Sequence, residues 1–256
     1  MTYAGPAQPP FGRLDRVLAI AAHPDDTDFK AGGTLAHWTA AGTEVTYLVL
    51  TDGAAGGEDP AVPRAELAAV REAEQRAAAD ALGVKEVVFL GLPDGELTAG
   101  LELRREITRV IRRVRPQRAL IQSPEINWDF LPDVHPDHRA AGEAALAALY
   151  PDARNPRAYP ELLLSEGLRP CVVPEIWVMT SPRPDTWVDV TDVFDRKLAA
   201  LRAHTSQTAH RANLADDIRS RLSGQAAAGG LADGRLAEAF QVIRTEPAAQ
   251  PVDNTR

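Results

Sequence analysis

Short apolar runs alternate with helical stretches as far as residue 150, and this alternation constrains the fold of the chain more than any other feature. RVLAIAA (16–22), EVTYLVL (44–50), EVVFL (86–90) and RALIQS (118–123) read as strands that are nearly continuous in apolar residues. Strands covered on both faces have that texture, as in a parallel sheet. The segments 31–41, 64–82, 101–114 and 137–149 carry helical spacing, and Gly42 and Gly83 stand where the first two should stop. Strand and helix in turn predict βαβ units, so the chain is expected to be α/β. Its mostly parallel, Rossmann-like sheet should carry helices on both faces.

After Tyr150 the texture changes. A proline-rich stretch (151–170) reads as a long ordered loop, 175–180 and 186–190 as strands, and 192–204 and 211–223 as helices, with 229–244 folding back. The expectation is a single domain over 1–256 with a smaller C-terminal extension. Residues 1–14 form a loose arm, 15–150 the metal-binding half and 151–245 the half that shapes a substrate pocket. The tail, 246–256, is expected to be disordered. No internal repeat is present.

Composition excludes several classes of function. A net charge of −8 disfavours nucleic acid and anionic membranes as partners. No apolar run is long enough to span a bilayer, and the first residues lack a signal-peptide pattern. One cysteine, Cys171, leaves no intramolecular disulfide framework and suits a cytoplasmic protein.

The chemistry is concentrated in two short clusters. Ala22-His23-Pro24-Asp25-Asp26 ends the first strand, and His135-Pro136-Asp137-His138 follows the fourth. Both lie at the carboxyl edge of the expected sheet, where ligands of open α/β folds collect. A histidine crowded by two carboxylates is unfavourable without a cation or other partners. Two histidines and a carboxylate would suit an open catalytic zinc site, in which a fourth position is left for water. Either aspartate after His23 could cap the following helix, but one cap leaves the other unexplained. A glycine fingerprint for a dinucleotide is missing from the first strand–helix turn, which disfavours an oxidoreductase and any cofactor of that kind.

In order and spacing, AHPDD followed much later by HPDH resembles the LmbE/PIG-L family of zinc-dependent N-deacetylases. Gly32-Gly33-Thr34, TDGAAGG (51–57), REAEQRAAADALG (71–83), the PDG turn (93–95) and AHTSQ (203–207) carry the likeness over roughly residues 16–205. The resemblance implies an LmbE-like fold and one Zn2+ per chain, or another divalent ion, held by His23, Asp26 and His138. It also implies Asp25 as general base, His135 as electrostatic or acid partner, and Arg71 and Asp94 as substrate contacts. Trp128 and Asp129, in the loop entering HPDH, are read as lining a sugar pocket. Asp137 is expected to orient a histidine.

The reaction so implied removes an N-acetyl or other N-acyl group from an aminosugar or similar polar amine, a small-molecule substrate, in an enzyme that resemblance makes a homo-oligomer. An amidase for a larger acyl or thiol conjugate is the nearest alternative, and a non-catalytic ligand-binding relative is a third. Two departures from the family pattern stand out. Thr27-Asp28 follows HPDD where many members have Glu, and Asp133-Val134 stands where some sugar deacetylases place a tyrosine before HPDH.

Overall fold

The computed structural model describes residues 2–3, 14–57 and 59–245. The expected tail from 246 and most of the expected N-terminal arm lie outside them. The part of the arm inside is not loose: β1 (Thr2–Tyr3) pairs in parallel with a late strand of the sheet.

The alternation expected from the sequence is present. β2 (Arg16–Ala21), α1 (Asp26–Ala40), β3 (Glu44–Thr51), α2 (Arg64–Leu82), β4 (Glu86–Leu92), α3 (Leu101–Val114), β5 (Arg118–Gln122) and α4 (Pro136–Leu149) follow one another. The second half adds α5 (Pro160–Leu164), β6 (Glu175–Met179), β7 (Thr186–Asp189), α6 (Phe194–Ala203), α7 (Thr205–Thr208), α8 (Leu214–Ala228) and β8 (Ala237–Arg244). All the strands join one sheet in the order β1-β7-β8-β6-β5-β2-β3-β4. The C-terminal half is therefore a continuation of that sheet. Strands β2 to β6 run parallel, and β8 runs antiparallel between β6 and β7.

Two apolar clusters cover the two faces. Leu35 of α1, Leu82 of α2, Leu201 of α6 and Leu222 of α8 belong to one, and Ile107 and Ile111 of α3 with Ala144 and Ala145 of α4 belong to the other. Buried ion pairs tie the layers together. Arg118 of β5 meets Glu175 at 2.6 Å, with its guanidinium 4.7 Å and 4.2 Å from the rings of Trp38 and Trp177. Lys197 of α6 meets Glu238 of β8 at 2.7 Å. This second pair serves the backbone of α1: Lys197 donates to the Asp28 and Phe29 carbonyls, while Glu238 accepts from Gly33 and Thr34 N–H. Gly33 is needed there, because a Cβ would lie 2.7 Å from Val190.

α1 begins at Asp26, five residues before its expected start at 31. Its first turn holds Asp26 and Asp28, both buried, where apolar spacing gives no signal. The expected loop over 151–170 contains α5 and is anchored to α3. Arg104 binds Asp152 at 2.9 Å, and Arg112 donates to the Asp152, Asn155 and Ala158 carbonyls.

From β2 the chain moves to β3 and β4 on one side, then returns to β5 and β6 on the other. The carboxyl ends of β2 and β5 thus flank the topological switch point, where open α/β sheets take their ligands. Both neighbours pin the end of β2: Gln122 of β5 accepts Ala22 N–H at 2.8 Å, and Thr51 of β3 donates to Ala22 O at 2.9 Å.

Candidate active site

His23 follows that pinned alanine, and α1 brings Asp26 back beneath it so that the Asp26 carboxylate accepts His23 N–H at 2.8 Å. α4 supplies His138 from across the switch point. Nδ1 of His23 lies 3.2 Å from Nε2 of His138 and 3.3 Å from Oδ2 of Asp26, whose Oδ1 is 3.0 Å from His138. Ligands ~2.0–2.1 Å from a tetrahedral metal stand about 3.3–3.4 Å apart, so these donor atoms are spaced as one ion requires. The sequence-predicted triad is brought together.

The electrostatics agree with a cation between them. Burial alone would strip the proton from His23, yet hydrogen bonds and charge from Asp26 and Asp94 raise the ring to about 10. Burial opposes Asp26 in the same way, but His138 and His23 hold its carboxyl well below the usual range. A cluster that draws positive charge so strongly is suited to a metal ion.

The far side of His23 is also occupied. Its Nε2 is 3.1 Å from Asp94 and 3.2 Å from Asp137. Asp137 is fully buried and accepts Gly95 N–H at 2.7 Å and Leu97 N–H at 3.2 Å. Carboxylates behind a ligating imidazole fix its orientation and raise its basicity. Asp137 and Asp94 both stand where they can hold the His23 ring in place. Asp94, read from the sequence as a substrate contact, stands behind the ligand, where it also accepts Ala55 N–H at 2.9 Å.

Asp25 occupies the N-cap position of α1 without capping it, and its φ of 85° places a non-glycine residue in the left-handed region. Such strain persists only where the surroundings enforce it. Gln75 accepts Asp25 N–H at 2.8 Å, and Arg71 donates to Pro24 O and Gly53 O at 2.7 Å each and reaches the Asp25 carboxylate at 3.3 Å. Burial raises the Asp25 carboxyl to about 6 against the opposing charge of Arg71. A base poised there suits proton abstraction near neutral pH.

Arg71 is only 4% exposed, commits Nη1 and Nη2 to these groups while its Nε is buried without a partner, and lines neither of the two clefts that open beside His138 and Lys30. The glycines of TDGAAGG accommodate it: Cβ atoms at Gly53 and Gly56 would fall 2.9 Å and 2.5 Å from its Nη1. His135 caps α4 by accepting Asp137 N–H at Nδ1, 3.1 Å away, which assigns its hydrogen to Nε2. Its ring centroid stands 4.8 Å from that of His23 and 5.2 Å from that of His138.

Trp128 is 77% exposed and lines neither cleft, whereas Asp129 lines the smaller one. The aromatic groups at the mouth of the metal site are Phe29 and Phe130, with Lys30, Arg211 and Arg221 beside them. Sequence reading missed these. One signal was available for Lys30, which is four residues after the ligand Asp26 on α1 and so projects from the same helix face. Asp133, at the position where a tyrosine was considered, is paired with Lys30.

A Rossmann-like sheet with two histidines and an aspartate gathered at its switch point defines the class: an α/β protein with a metal site built for hydrolytic chemistry. Residues 18–149 match the family model for PIG-L, GlcNAc-PI de-N-acetylase, and the chain belongs to that family. It is 38% identical over 198 residues to a diacetylchitobiose deacetylase of Thermococcus kodakarensis, covering 77% of this chain and 72% of that protein. A probable N-acetyl-alpha-D-glucosaminyl L-malate deacetylase 2 of Bacillus cereus is 32% identical over 75% of this chain and 83% of its own length. Among solved structures, N,N′-diacetylchitobiose deacetylase from Pyrococcus horikoshii superimposes with a TM-score of 0.84 at 30% identity, over 92% of this chain and 86% of that one.

Proposed function

We propose that the chain is a metal-dependent N-deacylase that hydrolyses the N-acetyl amide of an aminosugar derivative to acetate and a free amine. The observation that carries this reading is the convergence of His23, His138 and Asp26 within 3.3 Å, with Asp25 and His135 beside them. The relatives are named as deacetylases of N-acetylglucosamine derivatives, which supports the same reaction class.

Zinc, or another divalent ion, held by His23, Asp26 and His138 would supply the Lewis-acid chemistry of such sites, polarising the amide carbonyl and acidifying a water. Asp25 takes the proton from the attacking water as its oxygen bonds to the carbonyl carbon. His135, with its hydrogen on Nε2, donates to the oxyanion that develops there. The C–N bond then breaks, and the proton held by Asp25 passes to the leaving nitrogen. Arg71 and Gln75 hold Asp25 in its strained conformation throughout, and Asp94 and Asp137 keep His23 turned toward the metal. Arg71 and Asp94 thus act in support of these groups, and substrate contact falls to residues of the clefts.

No helix among the described residues is long and apolar enough to cross a membrane, and the single cysteine is buried and free, which supports a cytoplasmic setting. The reaction is tested by incubating the metal-loaded protein with N-acetylglucosamine, N,N′-diacetylchitobiose and further N-acetylated sugars. Acetate and free amine should appear in equal amounts from at least one of them. Release of neither from any member of the panel overturns the reading.

A further inference from the structure

The clefts beside the candidate metal site carry three cations that differ in how closely a carboxylate approaches them. One, of about 570 Å³, opens from Asp26 and His138 and is walled by Lys30, Phe130, Arg211 and Arg221. A second, of about 300 Å³, shares Lys30, Phe130, Asp133 and Arg221 with the first and continues toward Trp187 and Gln225. Lys30, Arg211 and Arg221 thus stand among Asp129, Asp133 and Asp217, with Asp26 among the candidate metal donors.

The three cations differ in how they are satisfied. Lys30 is paired with Asp133, and Arg211 with Asp217 at 3.3 Å. Arg221 has no carboxylate within ion-pair distance among the described residues. Its Nη2 donates to Phe29 O, and its Nε is buried without a hydrogen-bond partner. On α8, Arg221 lies three residues after buried Ile218 and four before Gln225, which places it on the helix face turned toward the clefts. A guanidinium stays charged at every accessible pH, and here Asp133 and Glu238 offset its burial only from beyond ion-pair distance. Its fork of donors matches the oxygens of a phosphate or carboxylate. Arg221 lines the same cleft as Asp26 and His138, so an anion beside it would belong to the molecule whose amide reaches the metal.

We propose that Arg221, with Lys30 beside it, forms a subsite for an anionic substituent, phosphate or carboxylate, on the N-acylated substrate and so selects charged over neutral aminosugars. This deepens the deacylase reading and rests on it for the identity of the reacting group.

The experiment separates binding from turnover. In the Asp25→Asn background, calorimetry compares N-acetylglucosamine with its 1-phosphate and 6-phosphate. At least one phosphate should bind tenfold or more tightly than the neutral sugar, and Arg221→Gln should reduce that ratio to near one. Arg221→Lys, which keeps the charge, should retain part of the preference, and unfolding curves of both variants verify the fold. Equal affinities in the parent overturn the subsite. So does a preference that survives Arg221→Gln, since the anion would then be held by the metal, or one lost equally in Arg221→Lys, which would point to packing. If phosphate-dependent binding is found but none of the sugars is deacetylated by the unmutated enzyme, the reaction assignment falls and the anion subsite stands.

Discussion

Gln75 accepts the backbone N–H of Asp25 at 2.8 Å and, through the other end of the same amide, donates to Asp28 at 2.8 Å. One side chain on α2 thus holds the strained residue at the head of α1 and a buried carboxylate within that helix. Asp28 is fixed further by Tyr47 at 3.0 Å and His204 at 2.9 Å. This network fixes the direction of Asp25, the proposed general base, and joins it to α1, α2, β3 and His204.

Replacing Gln75 with leucine should therefore uncouple positioning from metal binding. We expect kcat to fall about 100-fold, the scale of loss when a reacting group shifts by around 1 Å. KM and metal content should stay within about threefold of the parent. Steady-state kinetics with metal analysis on the same sample checks this, and unchanged kcat would remove Gln75 from the account.

Asp137 lies 3.2 Å from Nε2 of His23, behind the proposed metal ligand. Asp137→Asn keeps the shape of the side chain but removes the charge behind the imidazole, and metal affinity should drop about 10–100-fold. Competition with a chromophoric chelator measures it. Parent-like affinity would mean that Asp94 alone orients His23.

The helices α2 and α3 stand where the sequence placed them, because their apolar spacing is regular and Gly83 ends the first in a left-handed cap. The convergence of His23, Asp26 and His138 was legible because these residues sit in two compact motifs at strand ends. α1 was read as starting late, since its first turn is occupied by site residues that carry no apolar period. β8 was seen only as a fold-back. Its insertion between β6 and β7 depends on antiparallel pairing with two strands distant in sequence, and no local pattern encodes that. Arg71 and Asp94 were assigned to substrate because both lie in segments that match the family, yet spacing does not reveal which way a side chain points. Arg221 had no signal at all, being one arginine on a helix far from either histidine motif.

The His204–Asp28 pair predicts a pH dependence of stability. Burial opposes the charge on His204, but Asp28 outweighs it and raises the imidazole above its ordinary 6.5. A pKa raised by folding contributes stability that is complete below the unfolded value and disappears as pH rises through the folded one. The gap in melting temperature between parent and His204→Asn should accordingly be wider at pH 6 than at pH 9. Comparison with the variant cancels the titration of the remaining groups. A gap that is constant or widens toward pH 9 would contradict the pairing.

The most direct test of the central claim is metal analysis of protein purified without chelators, carried out in parallel on the parent and His138→Ala. The donor geometry predicts about one divalent ion per parent chain, with both the ion and amine-releasing activity lost in His138→Ala. An active parent without site metal, or a His138→Ala protein that keeps its full ion, would contradict the assignment of His23, Asp26 and His138 as the metal site.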